Sequence, residues 1–231
     1  MIEFKQVNQL YGSSQILWDL DLKIEPGSIT CLMGRNGVGK TTALKALMGL
    51  LPIANGEIRY ADTDISKWNA ERRPHEGIGY VPQGRDIFPQ LTVEENLRIG
   101  LSCRKDKSKK VPEKIFDLFP VLHEMLSRRG GDLSGGQQQQ LAIGRALVIE
   151  PKLLIIDEPN EGIQPNIVQQ IGDVILQLNK QENLTVLLVE QKLAFARRVG
   201  DQFRLMEKGS VVATGEMSAL SDELISKHLA V

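Results

Sequence analysis

Apolar and polar positions alternate through Ile2-Glu-Phe-Lys-Gln-Val7, the period of a strand with one buried face. A second strand is expected over Leu20–Ile24, closed by the turn residues Glu25-Pro-Gly-Ser28. Ile29–Met33 is a continuous apolar run and reads as a buried strand, with a short helix over Thr41–Leu50 after it. Pro52 and the pair Asn55-Gly56 stop that helix ahead of a strand at Glu57–Tyr60, and another strand follows at Gly77–Val81. Helical patterns such as Val93-Glu-Glu-Asn-Leu97 and Ile115-Phe-Asp-Leu-Phe119 then fill residues 84–132, which read as a helical insert. A long helix should run from the Ser134-Gly-Gly136 loop to about Val148. Strand Leu153–Ile156, a helix near Ile167–Leu178 and strand Thr185–Val189 follow it. A hairpin of Gln202–Met206 and Ser210–Ala213 turns at Lys208-Gly209, and a terminal helix is expected over Ser218–Leu229. Strands alternating with helices predict an α/β fold with a parallel core and a strand-rich N-terminal flank.

Composition narrows the class. The chain has 231 residues, 42% of them hydrophobic, enough for one core, so residues 1–231 are expected to form a single domain. Its 28 basic and 29 acidic residues leave a formal charge of −1, so no global field recruits nucleic acid or anionic lipid. The one charge cluster, Arg104-Lys-Asp-Lys-Ser-Lys-Lys110, is expected to be a solvated loop within the insert. Cys31 and Cys103 lie far apart with no second ligand nearby, which argues against a disulfide framework or a zinc site; Cys31 is expected to be a small buried residue. The N-terminus lacks a basic-then-apolar signal pattern, and no apolar stretch reaches the roughly 18 residues of a membrane span. A soluble, reduced, cytoplasmic protein is the expectation.

Three contiguous motifs carry chemistry. Gly34-Arg-Asn-Gly-Val-Gly-Lys-Thr41 fits G-x-x-x-x-G-K-[ST] in full, between an expected buried strand and an expected helix. Its glycines let backbone amides converge on phosphate oxygens, and the helix N-terminus beyond favours anions. The candidate cofactor-binding run is therefore Gly34, Arg35, Asn36, Gly37, Val38, Gly39, Lys40, Thr41 and Thr42. Lys40 offers a point charge for the β- and γ-phosphates, and the Thr41 hydroxyl can ligate Mg2+. The apolar strand Leu153-Leu-Ile-Ile delivers two carboxylates: Asp157 would hold the water shell of the metal, and Glu158 would polarise the attacking water as general base. Gln83, where a strand meets the insert, can touch both the metal or the water and the insert, and is a candidate catalytic and metal-binding residue.

The third motif is Ser134, Gly135, Gly136 and Gln137. The serine can cap the helix and the exposed amides can grip an anion. Read alone it is only a cap; Asp157 following Gly136 by 21 residues favours the anion grip. One polypeptide has one nucleotide to hold, so two phosphate grips point to a composite site shared between two subunits. Tyr11, in a turn upstream, is either a base-stacking aromatic or an ordinary exposed loop tyrosine.

These motifs, in this order, resemble the ATP-binding cassette (ABC) ATPases over essentially the whole chain. The resemblance implies a P-loop NTPase with a RecA-like parallel sheet core, an N-terminal antiparallel β-subdomain and an inserted α-helical subdomain. It implies ATP and Mg2+ as cofactors, and Ser134–Gln137 gripping the γ-phosphate held by an opposing subunit. The implied partners are a second ABC ATPase subunit, integral membrane permease subunits and, indirectly, a periplasmic solute-binding protein, with no nucleic acid. The implied place is peripheral, on the cytoplasmic face of the membrane, with residues 84–132 coupling to the membrane partner. Gly77–Arg85, Phe88–Leu97 and Glu161–Pro165 are similar to importers of branched-chain amino acids and urea. Arg35-Asn-Gly-Val38 and Gln137–Gln140 lean toward the urea-type subunit. The implied function is thus the energy-coupling ATPase of a bacterial small-solute importer, with urea first and branched-chain amino acids the alternative.

Three positions depart from the family pattern. Gln191 stands where a switch histidine is usual, and its amide can still donate a hydrogen bond to a γ-phosphate, so it is a candidate catalytic residue. Asn160 replaces a common threonine and Gln164 a usual aspartate. Gln191 also keeps open a regulatory subunit that binds ATP and scarcely hydrolyses it. A DNA-repair or translation ABC protein would need a second cassette or a coiled-coil insert, for which this chain lacks room. Asn179-Lys-Gln-Glu182 loosely resembles a guanine-reading motif but falls between a helix and a strand rather than at a strand's end, against a GTPase.

Overall fold

The structure is a computed structural model that describes residues 1–229. β1 (Ile2–Tyr11) and β2 (Ser14–Ile24) form an antiparallel hairpin registered from Ile2 opposite Ile24 to Tyr11 opposite Ser14. Both strands outrun their sequence expectation because register shifts fall between Phe4 and Val7 and again before Leu10. A bulge adds a residue to one strand and breaks the alternation that marks a strand in sequence. β3 (Ile29–Met33) leads into α1 (Lys40–Leu47), and β4 (Asn55–Tyr60) and β5 (Thr63–Asp64) then complete a four-stranded antiparallel sheet in the order β2-β1-β4-β5.

α2 (Arg72–His75) and β6 (Ile78–Val81) precede the insert, which holds α3 (Val93–Leu101), α4 (Glu113–Leu118) and α5 (Pro120–Glu124). α6 (Gly135–Leu147), β7 (Leu153–Asp157), α7 (Pro165–Glu182) and β8 (Thr185–Val189) follow. α8 (Leu193–Val199), β9 (Gln202–Glu207), β10 (Ser210–Glu216) and α9 (Asp222–His228) end the chain's described part. The second sheet runs β10-β9-β3-β8-β7-β6, parallel from β9 to β6, with β10 antiparallel at its edge.

Alternating residues of the parallel strands face two cores. Leu153, Ile155, Leu187 and Val189 join α1 and the antiparallel sheet; Leu154, Ile156, Val186 and Leu188 join α6, α7, α8 and the insert. Burial on both faces is why these strands read as unbroken apolar runs. The insert has no core of its own: Val93, Leu97, Ile115, Phe119 and Leu122 pack into the same cluster as Ile156 and Leu141. Its first helix is fixed by a capping box in which the Thr92 hydroxyl accepts the Glu95 N–H at 3.1 Å and the Glu95 carboxylate accepts the Thr92 N–H at 2.8 Å.

Several expectations change. α8 was not anticipated, because seven residues make two turns and show too little periodicity. The terminal helix is broken: a 3₁₀ turn at Met217–Ala219 precedes α9, whose first turn is capped by the Ser221 hydroxyl. Arg104 leaves the expected solvated loop. Its guanidinium donates to the Val148 carbonyl at 2.9 Å and pairs with Asp106 at 2.5 Å and Glu150 at 3.1 Å. Cys31 is fully buried, and burial pushes its thiol well above the usual range. Asn179 donates to the carbonyls of Gly27 and Leu184, closing the end of α7. No helix among the described residues is long and apolar enough to cross a membrane.

Candidate active site

β3 and β7 end side by side with β8 between them, so the loops after all three meet at one edge of the sheet. The loop after β3 turns through Gly34, at φ 156°, where a Cβ would lie 2.4 Å from the Met206 carbonyl oxygen; no side chain fits. Gly39, at φ 106°, is the N-cap of α1 and supplies no side-chain cap, so the amides of the first helical turn stay open to an anion. Arg35, Asn36 and Gly37 are exposed, Val38 is half-buried, and Thr42 is buried. Lys40 folds back over its own loop: Nζ donates to the carbonyls of Gly34 at 2.8 Å and Arg35 at 2.9 Å and lies 4.0 Å from the Glu158 carboxylate. Burial pushes its ammonium pKa down, against the pull of Glu158 and Asp157.

Asp157 closes β7. The Thr41 hydroxyl donates to its Oδ2 at 3.0 Å, while Oδ1 is buried without a partner. Burial pushes this carboxyl up to about 6, opposed by the Thr41 hydrogen bond. A buried carboxylate oxygen with no donor, next to a hydroxyl, is an oxygen pair suited to a hard divalent cation, so the residues fit Mg2+. Glu158 sits in the left-handed region at φ 48°, held by its N–H to the Val189 carbonyl at 2.9 Å. Such a backbone costs on the order of 1–3 kcal/mol and collects at functional sites. Gln83 Nε2 donates to Glu158 Oε2 at 3.3 Å and to Glu161 Oε2 at 3.2 Å. Gln191 Nε2 donates to Glu158 Oε1 and, at 2.6 Å, to Asn36 Oδ1. The three candidate catalytic residues, distant in sequence, therefore converge on one carboxylate.

The second phosphate grip stands apart. Ser134 Oγ accepts the Gln137 N–H at 3.3 Å and the Gln137 side chain accepts the Ser134 N–H at 2.9 Å, a capping box that starts α6 with Gly135 and Gly136 in its first turn. Among the described residues, no hydrogen bond or ion pair joins Ser134–Gln137 to the Lys40 cluster. Arg85 bridges part of the gap, donating to Gln138 Oε1 and to the Glu161 carbonyl, both at 3.2 Å. Tyr11 ends β1, exposed, in the hairpin whose second strand packs on the phosphate loop: a Cβ on Gly39 would lie 3.1 Å from the Leu17 side chain. Sequence reasoning did not assign roles to Arg85, Glu161, Glu190 or Lys192. Only Glu190 had a signal: it is an acid directly after an apolar strand, as Glu158 is after β7.

A parallel sheet with a phosphate loop, a paired-carboxylate strand end and a capped glycine helix start defines a P-loop ATPase cassette. The family model described as ABC transporter matches residues 17–161, more than half of the chain. The chain belongs to the ABC transporter family and is one of its ATPases. It is 41% identical over 221 residues, 95% of this chain and 94% of the relative, to the high-affinity branched-chain amino acid transport ATP-binding protein BraG of Pseudomonas aeruginosa. It is 36% identical, with the same shares covered, to a probable branched-chain amino acid transport ATP-binding protein, LivF, of Archaeoglobus fulgidus. A dimeric ATP-binding cassette solved in a post-hydrolysis state with ADP and Pi superposes with a TM-score of 0.84 at 25% identity, covering 94% of this chain and 99% of that one.

Proposed function

We propose that this chain is the ATP-hydrolysing subunit of a branched-chain amino acid importer. The identity to the two transport ATPases across nearly the full length of both chains carries this reading over the urea alternative; the convergence of Gln83, Gln191 and Lys40 on Glu158 supports the hydrolytic step. Lys40 and the amides of Gly34–Thr42 would bind the ATP phosphates, with Tyr11 stacking on the base. Thr41, Asp157 and Gln83 would hold Mg2+, which when bound offsets phosphate charge. Glu158 would take the proton of the attacking water, and the Gln191 and Gln83 amides would orient its carboxylate. Ser134–Gln137 would grip the γ-phosphate held by a second subunit. Residues 84–132 would meet the permease and pass the closure of the dimer to it, placing the chain at the cytoplasmic face of the membrane.

The test has two parts. Cells lacking this gene should lose high-affinity uptake of labelled leucine, isoleucine or valine and keep urea uptake. Complementation with the native chain should restore it; loss of urea uptake in place of leucine uptake would reverse the substrate assignment. Complementation with Glu158→Gln should fail, and its phosphate release in vitro should fall by about 10²–10⁴-fold with ATP still bound. Equal phosphate release from both proteins would remove Glu158 from catalysis.

A further inference from the structure

Glu190 is a buried carboxylate, 3% exposed, that the proposed chemistry does not use. Its Oε1 accepts the backbone N–H groups of Gln191 and Lys192, both at 2.7 Å, and its Oε2 accepts the side-chain amide of Asn160 at 2.5 Å. Lys192 Nζ closes the ring by donating to the Asn160 carbonyl at 2.8 Å. Asn160, 1% exposed, is as deeply set. One carboxylate thus ties the loop after β8 to the loop after β7. Reactive groups flank the knot: Glu158 lies two residues before Asn160, and Gln191, whose amide holds both Glu158 and Asn36, immediately follows Glu190.

A charge in the interior is costly unless its lone pairs are met, and an apolar pair of similar volume would avoid that cost. Stability alone is therefore a weak account of Glu190. Its partners are informative: two of the three donors are the main chain of the very segment that aims Gln191. The asparagine at 160 supplies the third, with an amide N–H that reaches across from the neighbouring loop.

We propose that Glu190 and Asn160 are positioning residues, a clamp between the two loops that sets the Gln191 amide on the Glu158 carboxylate. They act through Gln191 and Glu158. The inference rests on the ATPase reading above and adds to it a pair of residues that the reading does not need.

The pair can be reversed. Asn160→Asp opposes two carboxylates. Glu190→Gln sets an amide against the Asn160 N–H unless Asn160 turns its unpartnered Oδ1 toward it, which strands the Asn160 N–H groups where Oδ1 now lies, so it is the milder lesion. The double substitution restores a complementary bond of opposite direction and leaves an oxygen for the two backbone N–H groups. ATP turnover, KM for ATP and melting temperature would be measured on the full chain with Mg·ATP for the native protein and all three variants. Because displacements near 1 Å cost up to about 10²-fold in rate, Asn160→Asp should lower kcat about tenfold or more with KM nearly unchanged, and Glu190→Gln should lower it less. The opposed or unmet buried groups should also lower the melting temperature of the single variants, and the double variant should recover part of it. The double variant should regain most of kcat. Should a single variant fail to fold, Asn160→Ala, which removes the bond without opposing like groups, carries the same expectation. Unchanged kcat in the single variants, a rise in KM that accounts for the loss, or a double variant no better than either single one would overturn the clamp. Native protein with no more turnover than Glu158→Gln would instead strike at the ATPase reading itself.

Discussion

Asp157 pairs functional need with folding cost. Its carboxyl is pushed up to about 6 by burial, from an ordinary value near 3.8, so between about pH 4 and 6 the folded chain without metal holds the neutral acid where the unfolded chain would be ionised. The sign follows from linkage: above pH 6 the folded state must hold an ion the unfolded chain solvates better. That penalty shrinks as pH falls through 6 and vanishes below about 4. Asp157→Asn should therefore stabilise the metal-free protein at pH 7.5 by on the order of 1–3 kcal/mol. Urea midpoints of native and variant should converge as pH falls toward 4.5, and the variant should lose its response to Mg2+ in nucleotide binding. A gap that widens on acidification would contradict the assignment. Asp157 and Glu158 were legible in sequence because an unbroken apolar strand advertises what it delivers at its end. Glu190 directly follows β8, yet its role was not legible: its partner Asn160 lies 30 residues away, and a contact between loops leaves no periodic trace.

Elements show the same division. The parallel strands were legible almost to the residue, since burial on both faces demands continuous apolar runs, and the glycine loops were legible because their residues are consecutive. Arg73 was not. Glu71-Arg-Arg-Pro-His75 looks like surface, yet Arg73 is fully buried. Its guanidinium donates to the Leu47 carbonyl at the end of α1, to Ile65 at 2.9 Å and to Trp68 at 3.2 Å. Burial, with no carboxylate beside it, pushes this guanidinium down to about 10. The helix that presents Lys40 is thus anchored at its far end by a side chain from α2. Arg73→Met keeps an apolar chain of similar length and strands these carbonyls without a donor. It should cost about 2–4 kcal/mol in denaturant unfolding, since each unmet buried group costs about 1–3 kcal/mol. A variant as stable as the native chain would show that the carbonyls find other donors.

The largest consequence lies above the single chain. Ser134–Gly136 begin a helix with a capping box but, among the described residues, make no hydrogen bond to the Lys40 cluster, so on the function proposed above each chain would carry two unlike halves of a phosphate site. If a site is assembled from the Lys40 half of one subunit and the Ser134 half of another, two differently damaged chains should repair each other. Lys40→Ala removes one half. Gly135→Asp blocks the other, placing a carboxylate where the anion would bind; the built Cβ lies 3.2 Å from the Arg85 guanidinium, and the start of α6 favours negative charge, so the fold should survive. Each variant alone should show almost no ATP turnover. Mixed in equal amounts and allowed to exchange, half of the dimers combine the two variants, and each of those holds one intact site, so about a quarter of native sites should return. Turnover at that level, linear in the fraction of mixed dimers, is the expected result. A mixture as inactive as its components would mean that the two halves do not work across a symmetric interface of this chain with itself.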